Sequence, residues 1–426
     1  MKAIVLIARG LQAGALGCYG NQWTITPALD ALAAEGIVFD WHFADNADPA
    51  GARRAWRSGH YQFPPSLSAP SHWGEEGARR PDLLNALRQH QIHTCLILDD
   101  NRPSPSEFAV GWDRVERVSA AEGEMPLDAV LEAAGVALEQ LERHDNWLLW
   151  IDLAVLLPPW QVPEEFQQAY FSNEADADED GLDEAPSDEQ TEEGRPFTLL
   201  TDLPVGLIDP EDDHLYLSLQ VSYAAAVSYV DAGIGQLLQA LDGVEGGDDI
   251  LRIVTTDTGQ NLGEHGIVGM CRPWLHNELI HLPLLLRLPG AAEAGRRVSA
   301  LTQAVDLAPT LADWFGAPLA DVHGHSLLPL ARGEVEAIRP HACIGLQVGD
   351  AIEYAIRTPE WAFLLPASPL PLSERERSEG KANVERTPQL YVKPDDRWEV
   401  NNVLQHHLEL AEQLEQTLRN FVTAPG

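Results

Sequence analysis

Basic residues are scarce in this 426-residue chain: 28 Lys and Arg stand against 66 Asp and Glu, for a formal net charge of −38. A surface of that sign repels polyanions, which argues against nucleic acid or an anionic membrane surface as partner. Cysteine is scarcer still. Cys18, Cys95, Cys271 and Cys343 are far apart, with no C-x-x-C pair and no zinc spacing. Three of them sit in or beside apolar segments, so buried thiols are expected rather than disulfides or metal ligands. No apolar stretch approaches the roughly 20 residues needed to span a bilayer, and no membrane partner is expected. The opening "MKAIVLIARG" has one lysine, a very short apolar run and no A-x-A cleavage site. It reads as a first β-strand rather than a signal peptide, and a cytoplasmic protein is expected.

What is present is an ordinary hydrophobic share of 45%, enough for a substantial core. Continuous apolar runs at 2–8, 93–98, 147–153, 250–256 and 282–288 suit strands covered on both faces of a mainly parallel sheet. Between them lie helical patterns. "TPALDALAAEG" offers Thr26 as N-cap, Pro27 at the first helical position and Gly36 as the stop. "PLDAVLEAAGVALEQLERH" and "LSLQVSYAAAVSYVDAGIGQLLQALDG" carry helical apolar spacing, and "VDLAPTLADWFGAP" is a further helix closed by Gly316. Alternation of this kind predicts an α/β fold with a doubly wound, mostly parallel but mixed sheet between helices. After about residue 333 the texture changes to short strands and one last helix. The expected organisation is therefore a main α/β unit over 1–333 and a smaller α+β subdomain over 334–426.

The stretch 172–194 is an acidic, low-complexity insertion and is expected to be a solvated loop. Asp176, Asp178, Asp180 and Gly181 match the first half of an EF-hand loop. The twelfth position is Ser187, however, so the bidentate closing carboxylate is missing and no calcium is expected there.

"NADPAGARRAWRSGHYQF", residues 46–63, gathers three arginines and a histidine in an otherwise acidic chain. It reads as a loop entering a helix soon after a buried strand, where an α/β enzyme would place a nucleophile and its anion-binding partners. Yet no Ser, Thr or Cys occurs between Phe39 and Arg57.

Several phrases explain that frame. They are "LGCYG" (16–20), "TPALDALAAEGIVF" (26–39), "YAAAVSYVDAGIGQLL" (223–238), "DTGQNLGEHG" (257–266), "LPLLLRLPG" (282–290), "VDLAPTLAD" (305–313) and "HGHSLLPL" (323–330). In this order they resemble the sulfatase family of the alkaline-phosphatase superfamily, and the resemblance covers essentially the whole chain. It implies a sulfuric ester hydrolase fold, a hard divalent cation (usually calcium) and an oxidised Cys or Ser as nucleophile.

Residue by residue, the resemblance implies a degenerate site. The family's Asp-Asp after the first strand falls on Arg9 and Gly10. Of the later metal-binding pair, Asp257 is retained beside Thr258. Counting back from "SGHY", Arg53 matches the motif arginine, and the nucleophile position falls on Pro49, whose side chain has no heteroatom. The family's G-K-W-H becomes "LDDN", putting Asp99 and Asn101 in place of lysine and histidine. A family histidine becomes Leu157, and the nearest counterpart of a later lysine is Arg272. The resemblance thus implies a pseudoenzyme that binds or scaffolds, with no catalytic residue and no metal beyond the vestigial ligand Asp257. Arg9 is expected to occupy the cation's place and pair with Asp257, and Asp99 to pair with Arg53, each a charge-assisted bond on the order of 1.5–3 kcal/mol.

Arg53, His60, His265 and Arg272 remain as anion-binding candidates for an anionic or sulfated small ligand; a protein partner is the other expectation. The alternative is an active hydrolase of sulfate or phosphate esters using calcium or another divalent ion, with Asp45, Asp48 or Asp99 replacing the missing carboxylates. Ser326 lacks a G-x-S-x-G elbow, which argues against a serine hydrolase.

Overall fold

Strand 2–8 (β1) is the axis of the main sheet in this computed structural model, which describes residues 1–63, 82–102, 106–170, 197–209, 211–367 and 387–423. The acidic run 172–194, with its half-matched calcium loop, lies outside the described residues.

The strands are β1 (Lys2–Ala8), β2 (Ile37–Phe43), β3 (His93–Asp99), β4 (Arg114–Val118), β5 (Trp147–Leu153), β6 (Gly206–Leu207), β7 (Ile250–Thr255), β8 (Ile267–Val268), β9 (Leu285–Arg287) and β10 (Arg296–Gln303) in the first three-quarters of the chain. A second group follows: β11 (Ala342–Val348), β12 (Ala351–Arg357), β13 (Trp361–Pro366) and β14 (Gln389–Val392). Among the described residues, eight strands form one sheet in the order β10-β2-β9-β7-β1-β5-β3-β4. Every pairing is parallel except those of β9, which runs against β2 and β7. The sheet is therefore mixed and mostly parallel, and β11–β14 make a separate antiparallel meander.

The apolar runs read from the sequence map onto the central strands. β1 and β5 are buried along almost their full length, as a sheet covered on both faces requires. One core cluster packs Ile4, Leu6, Leu149 and Ile151 against the helices Pro126–Leu141 and Asp213–Asp242. A second packs Val5, Ile7, Leu148 and Trp150 against Trp56 of the helix Pro49–Ser58 and Leu311 of the helix Leu307–Trp314. Two helical layers thus enclose the sheet. The last helix, Leu408–Thr423, buries Leu414 and Leu418 against Ile356 and Phe363 of the small sheet.

Two local expectations need correction. Thr26 is the N-cap of the helix Pro27–Glu35 by position, but its hydroxyl accepts from Gly17 N at 3.0 Å instead of capping. Asp231, from the neighbouring long helix, takes the first N–H groups of Ala28 and Leu29 at 2.9 and 2.8 Å. The cysteines are also less uniform than expected: Cys95 and Cys343 are buried, Cys18 is half-buried and Cys271 is exposed.

Candidate functional site

The carboxyl ends of β1, β5 and β7 lie side by side, and each carries a charge. Arg9 follows β1 and is 3% exposed. Its backbone N–H donates to Leu153 O at 2.9 Å, fixing it to the end of β5. Asp152 is the penultimate residue of β5, and Asp257 comes two residues after β7; both are 1% exposed.

The helix Pro49–Ser58 brings the second cation. Asp48 caps it by accepting from Gly51 N at 2.9 Å, and Pro49 fills the first helical position, where a missing N–H costs nothing. A Cβ at residue 51 would come to 2.9 Å from Asn46, so glycine lets the helix start sit tightly on the preceding loop. Gly59, at φ +67°, ends the helix in the left-handed region. Arg53, one turn in, then reaches the carboxyl ends of β5 and β7 and is fully buried.

Its guanidinium forks between the two carboxylates. Nη1 donates to Asp257 Oδ2 at 2.7 Å and to Pro49 O at 3.1 Å, while Nη2 donates to Asp152 Oδ2 at 2.5 Å. Arg9 Nε donates to Asp257 Oδ2 at 3.4 Å and stands 3.7 Å from Asp152 Oδ1. Thr258 N donates to Asp257 Oδ1 at 2.9 Å. Two guanidiniums and two carboxylates thus form a buried cluster that is formally neutral. Burial alone raises a carboxyl pKa. In Asp257 that effect is overcome by Arg53 and Arg9, which hold it below the ordinary aspartate value; in Asp152 burial prevails and the pKa is raised. Burial works against the charge of Arg53 too, but Asp152 and Asp257 hold its pKa above the ordinary arginine value.

These groups do not fit a calcium ion. Such an ion takes six to eight oxygen ligands at about 2.3–2.6 Å, whereas both oxygens of Asp152 and Asp257 Oδ2 already face guanidinium groups and Asp257 Oδ1 accepts from Thr258 N. Among the described residues no group of three His, Cys, Asp or Glu side chains is placed to share a metal.

Asp99 does not meet Arg53, contrary to expectation. It is buried at the end of β3, where it accepts from Ala154 N at 2.9 Å and from Asn101 N and Nδ2 at 3.0 and 2.8 Å. Asp152 occupies the partner position assigned to it. The sequence reading missed Asp152 because it lies inside an apolar run; its signal was a lone carboxylate near the end of a buried strand. The other carboxylates weighed as ligands are also engaged. Asp48 serves as the helix cap, with Arg54 4.0 Å away. Asp45 accepts from Gln62 N at 2.7 Å, and burial pushes its carboxyl up to about 7.

The anion-binding candidates are not gathered into one pocket. Arg53 belongs to the buried cluster. His60 contacts Ser58 O at 3.0 Å and packs edge-on against His323. His265 pairs with Glu278 at 2.6 Å and stacks on His276, and Arg272 lies over the Trp274 ring.

Comparison with known proteins is consistent with this architecture. The Sulfatase family profile matches residues 2–317. An N-acetylglucosamine-6-O-sulfatase of Bacteroides thetaiotaomicron is 36% identical over 120 residues, 28% of this chain and only 21% of that protein. Iduronate 2-sulfatase of Mus musculus is 24% identical over 373 residues, covering 71% of this chain and 67% of its own length. In three dimensions, the phosphonate monoester hydrolase of Agrobacterium radiobacter superposes with a TM-score of 0.70 at 22% identity. That superposition covers 99% of this chain and 96% of the other, a likeness of fold.

Proposed function

The chain belongs to the sulfatase family, and from that premise we propose that it has left the family's ester hydrolysis behind and serves in binding or scaffolding. The observation that carries the proposal is the buried cluster of Arg9, Arg53, Asp152 and Asp257. A sulfatase activates its ester by placing a divalent cation against the sulfate oxygens. In this chain the neighbouring carboxylates are neutralised by two arginines that are themselves occupied and shut away from solvent. A guanidinium held by two carboxylates has little attraction left for an incoming anion.

The nucleophile position supports the same reading. Pro49 contributes only a hydrocarbon ring at the start of its helix, and no Ser, Thr or Cys stands in the flanking loop or first turns. The family's covalent step requires a side-chain heteroatom there. The nearby carboxylates Asp45, Asp48 and Asp99, which a rearranged metal site would draw on, are each engaged in holding backbone N–H groups.

The test is a panel of aryl sulfates, aryl phosphates and phosphodiesters, assayed with calcium, magnesium, manganese or zinc and again with chelator. The expected outcome is no turnover above the uncatalysed blank under any condition. Metal-dependent turnover that disappears in Asp257→Asn would overturn the proposal.

A further inference from the structure

Beside the buried cluster, and sharing none of its four residues, lies a cavity of about 620 Å³. Segments far apart in sequence converge on it: the turn at 12–24, Asp40 and Trp41 of β2, the first turns of the helix Asp213–Asp242, the stretch 264–281, and the loop 394–400. One glycine eases the approach: at Gly20 φ is +91°, and a Cβ there would lie 3.1 Å from Arg397 Nη1.

The walls are aromatic, from Tyr19, Trp23, Trp41, Tyr216, Tyr223 and Trp398. Three of these are held open to solvent: Trp23 is 41% exposed, Tyr216 40% and Trp398 59%. Large aromatic side chains exposed together around one cavity are a feature of ligand sites rather than of inert surface.

Three carboxylates stand against two arginines and His265 in the lining, and among these described residues Arg397 is the cation with no carboxylate partner. Arg297 Nε donates to Asp40 at 2.9 Å, and His265 pairs with Glu278. Both oxygens of Glu264 are in use, accepting from Gln12 Nε2 at 2.9 Å and Leu262 N at 2.8 Å. Burial, followed by the nearby Glu278, pushes that carboxyl up to about 7, so it carries only part of a charge near neutrality. Arg397 differs from all of these. One of its five N–H donors reaches Tyr19 O at 2.7 Å, its guanidinium lies over the Trp398 ring, and no carboxylate among the described residues pairs with it.

We propose that this cavity binds a small ring-bearing monoanion, its anionic group on Arg397 and its ring against Trp23 and Trp398. This rests on the reading that the protein is a binding module, and it gives that module a site and a ligand class. The volume suits one or two rings, since small-molecule sites typically span about 300–1,000 Å³. A single charge fits because, among the described lining residues, Arg397 is the one guanidinium not paired with a carboxylate, in a protein whose overall field opposes anions. A carboxylate, a sulfonate or a monosubstituted sulfate ester offers the same two acceptor oxygens to the guanidinium fork.

The test uses 2-naphthoate, 2-naphthalenesulfonate and 2-naphthyl sulfate, with 2-naphthylmethanol and 2-naphthylmethylammonium as neutral and cationic counterparts, each titrated by calorimetry into the full chain. The anions are expected to bind saturably and at least tenfold more tightly than either counterpart. That preference should be lost in Arg397→Gln, kept in Arg397→Lys and unaffected by Arg54→Gln, which alters a cation outside the cavity. Trp398→Ala, with the guanidinium retained, should weaken all the ring ligands together. Failure of every anion to bind, equal binding by Arg397→Gln, or preference for the ammonium probe would overturn the proposal. Hydrolysis of 2-naphthyl sulfate would instead strike at the loss of catalysis and leave the binding result standing.

Discussion

Removing the Arg53 guanidinium would leave Asp152 and Asp257 buried with Arg9 between them. Breaking a buried ion pair from one side is costly because the remaining charge can neither hydrate nor pair. Arg53→Met is therefore expected to lower unfolding free energy by about 3–5 kcal/mol, read as a lower urea midpoint. Adding Asp152→Asn should recover part of the loss by removing one of the stranded charges. If Arg53→Met were neutral, the cluster would have no structural role. Sequence reasoning reached Arg9, Arg53 and Asp257 because each stands at a motif position that can be counted. It assigned Asp99 to Arg53, where Asp257 and Asp152 stand, because the order of strands in the sheet, which puts β5 beside β1, is not written in local pattern. Asp99 and Asp152 both end buried strands; only the sheet order tells which one faces the helix carrying Arg53.

At the scale of elements, the helix Pro27–Glu35 depends on a carboxylate from another helix. Asp231 takes the N–H groups of Ala28 and Leu29, so Asp231→Ala should cost about 0.5–2 kcal/mol as the loss of a cap. Asp231→Asn keeps an acceptor and should cost less. Burial first, with Asp30 nearby, raises the Asp231 carboxyl to about 6, above its unfolded value of 3.8, despite the opposing hydrogen bonds. The native state therefore holds this proton more tightly than the unfolded chain. Its contribution is fully present below pH 3.8 and is lost as pH rises through 6, and Asp231→Asn should flatten the stability profile across that window. Denaturant titrations at pH 4, 5, 6 and 7 would check this. The central strands and long helices were legible because their patterns are long. β2, β4 and β10 were not. β2 follows a helix with only Gly36 between them, β4 alternates half-buried with exposed residues at the sheet edge, and β10 carries a register shift between Val298 and Leu301. Of the run 282–288, Leu285–Arg287 forms the regular strand, antiparallel to both neighbours, while Leu282 and Leu284 add backbone bonds to β2 outside it.

Across the whole molecule, Glu399 ties the small sheet to His276, in the loop that precedes the helix Asn277–Ile280. It is buried, receives Arg357 Nη2 and Lys393 Nζ at 3.1 Å each, and lies 2.9 Å from His276 Nδ1. Burial opposes its charge, but Arg357, His276 and Lys393 hold its pKa far below the ordinary 4.5. That contribution is fully present above the unfolded value of 4.5, declines below it, and is gone only once pH falls through the much lower folded pKa. Glu399→Gln should lower the melting temperature at pH 7, and its deficit relative to wild type should begin to shrink below about pH 4.5 while remaining measurable at pH 3. Hydrogen exchange should open first in β11–β14. The same reasoning about buried charge applies at the strand ends, where two arginines and two carboxylates stand against each other. The most direct test there is calorimetric titration of calcium into the wild type and into Asp257→Asn. The account predicts the same weak, non-saturating heats in both, as an acidic surface gives with any divalent ion. A stoichiometric, saturable site present in the wild type and abolished in Asp257→Asn would contradict it.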